Sequence, residues 1–140
     1  MLSRVAESLY WIGRHVERAE DSARLLDVHY HALLDAQVGD HGESWQRIVA
    51  LYGDEPAYRE HYDAYTAQDV AEWVLWHDGN PSAVASCITL ARENARSVRE
   101  QISGEMWEAI NGLFLLLGRT RSSRSSATGR TASRAPLTRR

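Results

Sequence analysis

Two groups of charged side chains carry most of the chemistry this chain could perform. Glu17-Arg18 is followed by Glu20, Asp21 and Arg24; much later come Arg92, Glu93, Asn94 and Arg96, then Arg99. A guanidinium keeps its charge when desolvated and holds a carboxylate in a planar, two-point pair. Neighbours on a helix diverge by about 100°, so Glu17 and Arg18 cannot address one point unaided. Arg14 to Glu17, Arg18 to Asp21 and Glu20 to Arg24 stand three or four residues apart, where ordinary surface pairs add a few tenths of a kcal/mol each. Arg92, Arg96 and Arg99 form a row on one side of a helix. If the two segments lie antiparallel, Glu17 or Glu20 meets Arg92 or Arg96 in a desolvated pair, with Asn94 satisfying the remaining hydrogen bonds. That polar core reads either as a charge network locking helices in register or as a pocket for a carboxylate or other anion.

Other chemistry finds less support. None of the six histidines has an acid three positions before it, so the Glu-x-x-His signature of di-metal bundles is absent. There is no glycine-rich phosphate loop. A single cysteine, Cys87, excludes an internal disulfide and a thiolate metal cluster and reads as a small buried helix residue. No catalytic residue, metal ligand or cofactor is assigned.

The elements that position these residues are helices. From Ser3 to Leu34, Val5, Leu9, Ile12, Val16, Ala19, Ala23, Leu26, Tyr30 and Leu33 recur in steps of four and three, the pattern of a rod about 48 Å long with one buried seam. Ser3 is the expected N-cap. A shorter helix is expected over Ser44 to Tyr52, and another short one from Pro56. Thr66 reads as a cap for a helix reaching Trp76. Asn80-Pro81 opens a second long helix over Ser82 to Leu117, the equally long partner that the first requires. Its stripe runs through Val84, Cys87, Ala91, Ala95, Val98, Ile102, Ala109, Leu113 and Leu116, with Gly104 and Gly112 as weak points.

The last 23 residues differ. All 19 acids lie before Gly118, whereas Gly118 to Arg140 contains 7 of the 16 arginines. This tail has no periodicity and almost no large apolar residue, so it is expected to be disordered. Its abrupt start after Phe114-Leu115-Leu116-Leu117 suggests truncation or an out-of-frame ending. All 16 basic residues are arginine, for which GC-rich coding is a simpler cause than function. No 18-residue apolar run or secretory signal is present, so a cytoplasmic location without a membrane span is the default.

With MLSRVAESLYWIGRHVERAEDSARLLDV at one end and NPSAV, then ARENARSVREQISGEMWEAIN later, the chain resembles the bacterial Alpha-E family over residues 1–117. Alpha-E is named for an all-helical domain with a Glu-Arg motif. Glu17 and Arg18 match that motif, and Arg92, Glu93, Asn94 and Arg96 the second charged block. The resemblance implies partners among ATP-grasp and transglutaminase-like proteins, and hence a role in making or modifying a peptide; family members are much longer.

The expectation is therefore an all-α helical bundle of two long antiparallel helices and two or three shorter ones, with a domain over 1–117 and a disordered Arg/Ser-rich tail over 118–140. Its first functional reading is a non-catalytic accessory or binding module. The second is an enzyme acting on a peptide or acyl-phosphate, which requires Glu17 and Arg92 to converge on an open cavity. A third, nucleic-acid binding through the basic tail, is the least favoured. An apolar side left uncovered would favour self-association.

Overall fold

The computed structural model describes residues 2–35, 41–52 and 55–132, with side chains omitted for residue 35 and residues 125–132. Among the described residues all regular structure is helical: α1 (Leu2–Asp35), α2 (Gly42–Leu51), α3 (Glu55–Arg59), α4 (Ala67–Leu75), α5 (Val84–Ser97), a 3-10 turn (Arg99–Gln101) and α6 (Gly104–Ala132).

The seam of α1 is laid down by Ile12, Ala19, Ser22 and Leu26, all buried. These positions follow the three-and-four step of a helix face. The face is rotated slightly from expectation: Ala23 is exposed, as are Leu9 at 39% and Tyr30 at 47%, while Ser22 retains only 2%. The helix begins at Leu2, so Ser3 lies inside its first turn instead of capping it.

One long partner for α1 is not what forms. Two partners in succession cover it. In the first half, Ile12 packs with Ala91, Ala95 and Val98, and Ala19 with Val84, Cys87 and Ile88. The numbers rise on α1 as they fall on α5, so the two helices are antiparallel, and the small residues at the contact let their axes approach. The hydroxyls of Ser8 and Ser97 close the far end at 3.2 Å. In the second half, Leu26 joins Trp45, Ile48, Val49, Tyr58, Val70, Trp73 and Val74 from α2, α3 and α4.

The expected single helix over Ser82 to Leu117 is two helices. Val98 leaves helical geometry at φ −120° and ψ 31°, and Ile102 is extended at φ −113° and ψ 155°. Ser103 then restarts the chain, its Oγ accepting from the Met106 N–H at 3.2 Å, as a capping serine does for an otherwise unpaired donor. The turn reverses the chain, and α6 packs back along α5 through Ile110, Phe114 and Leu117.

Two other boundaries shift. Asn80 is wholly buried, and its Oδ1 accepts from Ser82 N–H at 2.9 Å while Nδ2 donates to Trp73 O at 3.0 Å. It pins the turn, and α5 starts only at Val84. Thr66 does cap α4, accepting from Asp69 N–H at 3.1 Å. Helical structure passes Leu117 without interruption as far as Ala132. Arg121 pairs with Asp78 at 2.6 Å and Arg124 with Glu72 at 2.9 Å, which ties this stretch to the end of α4. The rest of the expected tail, residues 133–140, lies outside the described residues. None of the described helices is long and apolar enough to cross a membrane.

Candidate functional site

The two partners of α1 meet at Ser22, and a cleft opens there. α5 covers the helix up to Ala19 and the α2–α4 cluster takes over at Leu26. Between them Tyr52, just past α2, and Ser82, just before α5, face the charged side of α1 across about 460 Å³. Arg14, Glu17, Arg18 and Asp21 form the α1 wall, while Leu25 and Leu51 supply apolar lining.

The charges of this wall are not equivalent. Arg14 Nη1 and Glu17 Oε2 pair at 2.9 Å, and Arg24 pairs with Glu20 one turn further on. The expected Arg18–Asp21 pair does not form: neither residue makes an ion pair or a hydrogen bond among the described residues. A free guanidinium and a free carboxylate thus border one cleft, about one helical turn apart.

Tyr52 and the buried Ser22 both line this cleft. Burial pushes the Tyr52 phenol up, the neighbouring Ser22 hydroxyl opposes this, and the charge of Asp21 adds to it. Tyr52 is therefore a neutral hydroxyl that can donate or accept. Burial also pushes the Cys87 thiol up, and the charge of Arg18 only partly offsets it. The thiol stays protonated and is no nucleophile. The arrangement can bind and orient a polar ligand through Arg18, Asp21 and Tyr52, and the residues described here supply no activated nucleophile.

The second charged block sits elsewhere. Arg92 Nε donates to Asn111 Oδ1 at 2.8 Å, and its guanidinium lies 4.5 Å from the Phe114 ring centre and 5.7 Å from that of Trp107. Arg99 approaches Trp107 as well, at 5.6 Å. These are cation–π contacts, and they fasten α6 to α5. Glu93 pairs with Arg92 at 3.2 Å, Asn94 Nδ2 donates to Leu90 O of its own helix at 2.9 Å, and Arg96 is exposed in the last turn of α5. Among the described residues none of these four reaches Glu17, Arg18 or Glu20. The polar core expected between the blocks is therefore replaced by two separate structures, a cleft on α1 and a latch on α6. Glu17 and Arg92 do not converge: Glu17 pairs with Arg14 on its own helix, and Arg92 faces α6.

Ser22, Tyr52 and Ser82 are not singled out by the sequence as site residues. The available signal was a serine in an otherwise apolar seam, one turn from the Glu-Arg pair. Among the described residues, no group of three or more His, Cys, Asp or Glu side chains could hold a metal ion.

Comparison with known proteins places the chain. Uncharacterised proteins of Mycobacterium bovis and Mycobacterium tuberculosis are each 32% identical to it over 120 residues, covering 76% of this chain and 14% of theirs. The chain thus spans about one seventh of the length of these curated relatives. No solved structure matches it. The profile of Alpha-E, described as a predicted alpha-helical domain with a conserved ER motif, matches residues 1–138, and the chain belongs to that family.

Proposed function

We propose that this chain is a helical binding module whose cleft beside Glu17-Arg18 receives a carboxylate-bearing peptide or amino-acid derivative, in the service of a peptide-making or peptide-modifying system. Glu17-Arg18 is the only Glu-Arg step in the sequence, and both residues line the cleft. The observation that carries the reading is the unpaired Arg18 guanidinium on that wall, next to a neutral tyrosine hydroxyl. Such a group binds a carboxylate by two parallel hydrogen bonds. An ATP-grasp or transglutaminase-like protein is the fitting partner, since both classes act on carboxyl or carboxamide groups of peptides. The protonated Cys87 and the Arg14–Glu17 pair favour binding over catalysis by this chain.

The test is a titration of the full chain with N-acetyl-L-leucine and with its amide, followed by calorimetry. The acid should bind and the amide should bind at least about fivefold more weakly, the scale of an exposed ion pair. Arg18→Gln should remove the difference. Equal binding of acid and amide by the wild-type chain refutes the reading.

A further inference from the structure

Arg18 accounts for one pole of the cleft, and the other pole has no role in carboxylate binding. Asp21 would repel a bare anion. It stands one turn along the same wall, lacks the Arg18 partner that its spacing offers, and is close enough to Tyr52 for its charge to raise that phenol. The acids nearest to it on this helix are paired: Glu17 with Arg14, Glu20 with Arg24 and Asp27 with His31. An opposite pair held apart on one cleft wall is complementary to a ligand that carries both charges itself.

We infer that the cleft takes an amino-acid zwitterion, a free α-amino acid or a short peptide with a free amino end, Arg18 receiving the carboxylate and Asp21 the ammonium. This rests on the binding reading above and narrows it. The Tyr52 hydroxyl, which lines the same cleft, accepts from the ammonium or donates to the carboxylate. Leu25 and Leu51 offer apolar lining to a ligand side chain, so an aliphatic residue such as leucine suits the site. A cleft of about 460 Å³ has room for either form of ligand. In the peptide systems proposed above, such a ligand is the incoming amine, which must be held with its nitrogen unacylated.

The experiment compares four probes on the full-length chain: L-leucine, N-acetyl-L-leucine, L-leucinamide and the dipeptide alanyl-leucine. Leucine or alanyl-leucine should bind about fivefold or more tightly than either singly charged analogue, one exposed ion pair being lost in each. Whichever of the two binds better identifies the amino acid or the peptide as the natural form. Asp21→Asn should erase the preference for leucine over N-acetyl-leucine, and N-acetyl-leucine, relieved of a like charge, should bind no more weakly than to the wild-type chain. The Asp21 side chain is exposed, as is that of Arg18, so the fold should be kept on replacing either, and the wild-type comparison needs no variant. Equal binding of leucine and N-acetyl-leucine overturns the zwitterion inference while the carboxylate reading stands. Absence of binding by all four probes overturns both.

Discussion

Replacing Arg92 with leucine should loosen α6 from α5 without disturbing the cleft. The Arg92 side chain is only 24% exposed, and its guanidinium lies 4.5 and 5.7 Å from the two ring centres, so the cation–π attraction contributes roughly 1–2 kcal/mol. Its hydrogen bond to Asn111 at 2.8 Å has a charged donor, and losing it costs about 1.5–3 kcal/mol. The Glu93 carboxylate is 54% exposed and adds little after solvent screening. Leucine restores part of the apolar cover over Phe114 and Trp107. The net loss should be about 2–3 kcal/mol, or roughly 6–10 °C in Tm for a chain of this size.

Urea melts provide the assay, and double-mutant cycles decide the cause. Arg92→Leu combined with Phe114→Leu should show a coupling of about 1 kcal/mol, whereas Arg92→Leu combined with Glu17→Gln should be additive to within about 0.5 kcal/mol. A coupling near 1 kcal/mol between Glu17 and Arg92, with none to Phe114, would refute the latch and restore a polar core between the first and second charged blocks.

Two further perturbations test the rest of the fold. His15, His29 and His77 all ionise less readily than a free imidazole, burial being the first cause in each, aided by Arg18, His41 and His61 respectively. Their folded pKa values lie below the unfolded value of about 6.5, so the unfolded chain takes up more protons in that interval. Stability that is complete above about pH 6.5 should decline as the pH falls toward the lowered values. Urea midpoints should drop on acidification through this range, less steeply in His77→Gln; a rising midpoint contradicts the assignment. Asn80→Ala strips the buried turn of both side-chain hydrogen bonds and should cost about 2–3 kcal/mol, and a thermal midpoint shifted by less than about 1 °C would show that the turn holds without them.

The helical class was legible because it rests on local periodicity. Trp45, Ile48 and Val49 of α2 are buried as their spacing indicates, and Thr66 caps where its side chain faces a free amide. Harder to read was where one helix gives way to the next. The stripe Ala91, Ala95, Val98, Ile102 continues smoothly through the break after α5, because apolar residues are needed on both sides of a sharp reversal. Only the Ser103-Gly104-Glu105 start signal marks it, and a serine at such a place also fits a helix interior. The consequence was large. With one helix, Arg92 faces α1; with two, it faces Trp107 and Phe114 on α6.

The cleft shows a second limit of the same kind. Arg18 and Asp21 have a favourable spacing for a pair, as do Arg14 with Glu17 and Glu20 with Arg24, and sequence offers no ground for separating the three. What separates them is tertiary. Arg18 and Asp21 lie on the side of α1 that faces the gap between the C-terminal end of α2 and the N-terminal end of α5, beside Ser22 of the buried seam. An exposed i,i+3 pair is worth only tenths of a kcal/mol, so the gap between two packing partners suffices to decide it. Charges left uncommitted at such a junction are available to a ligand in a way that the paired ones are not, and for that reason the candidate site narrows to Arg18, Asp21 and Tyr52.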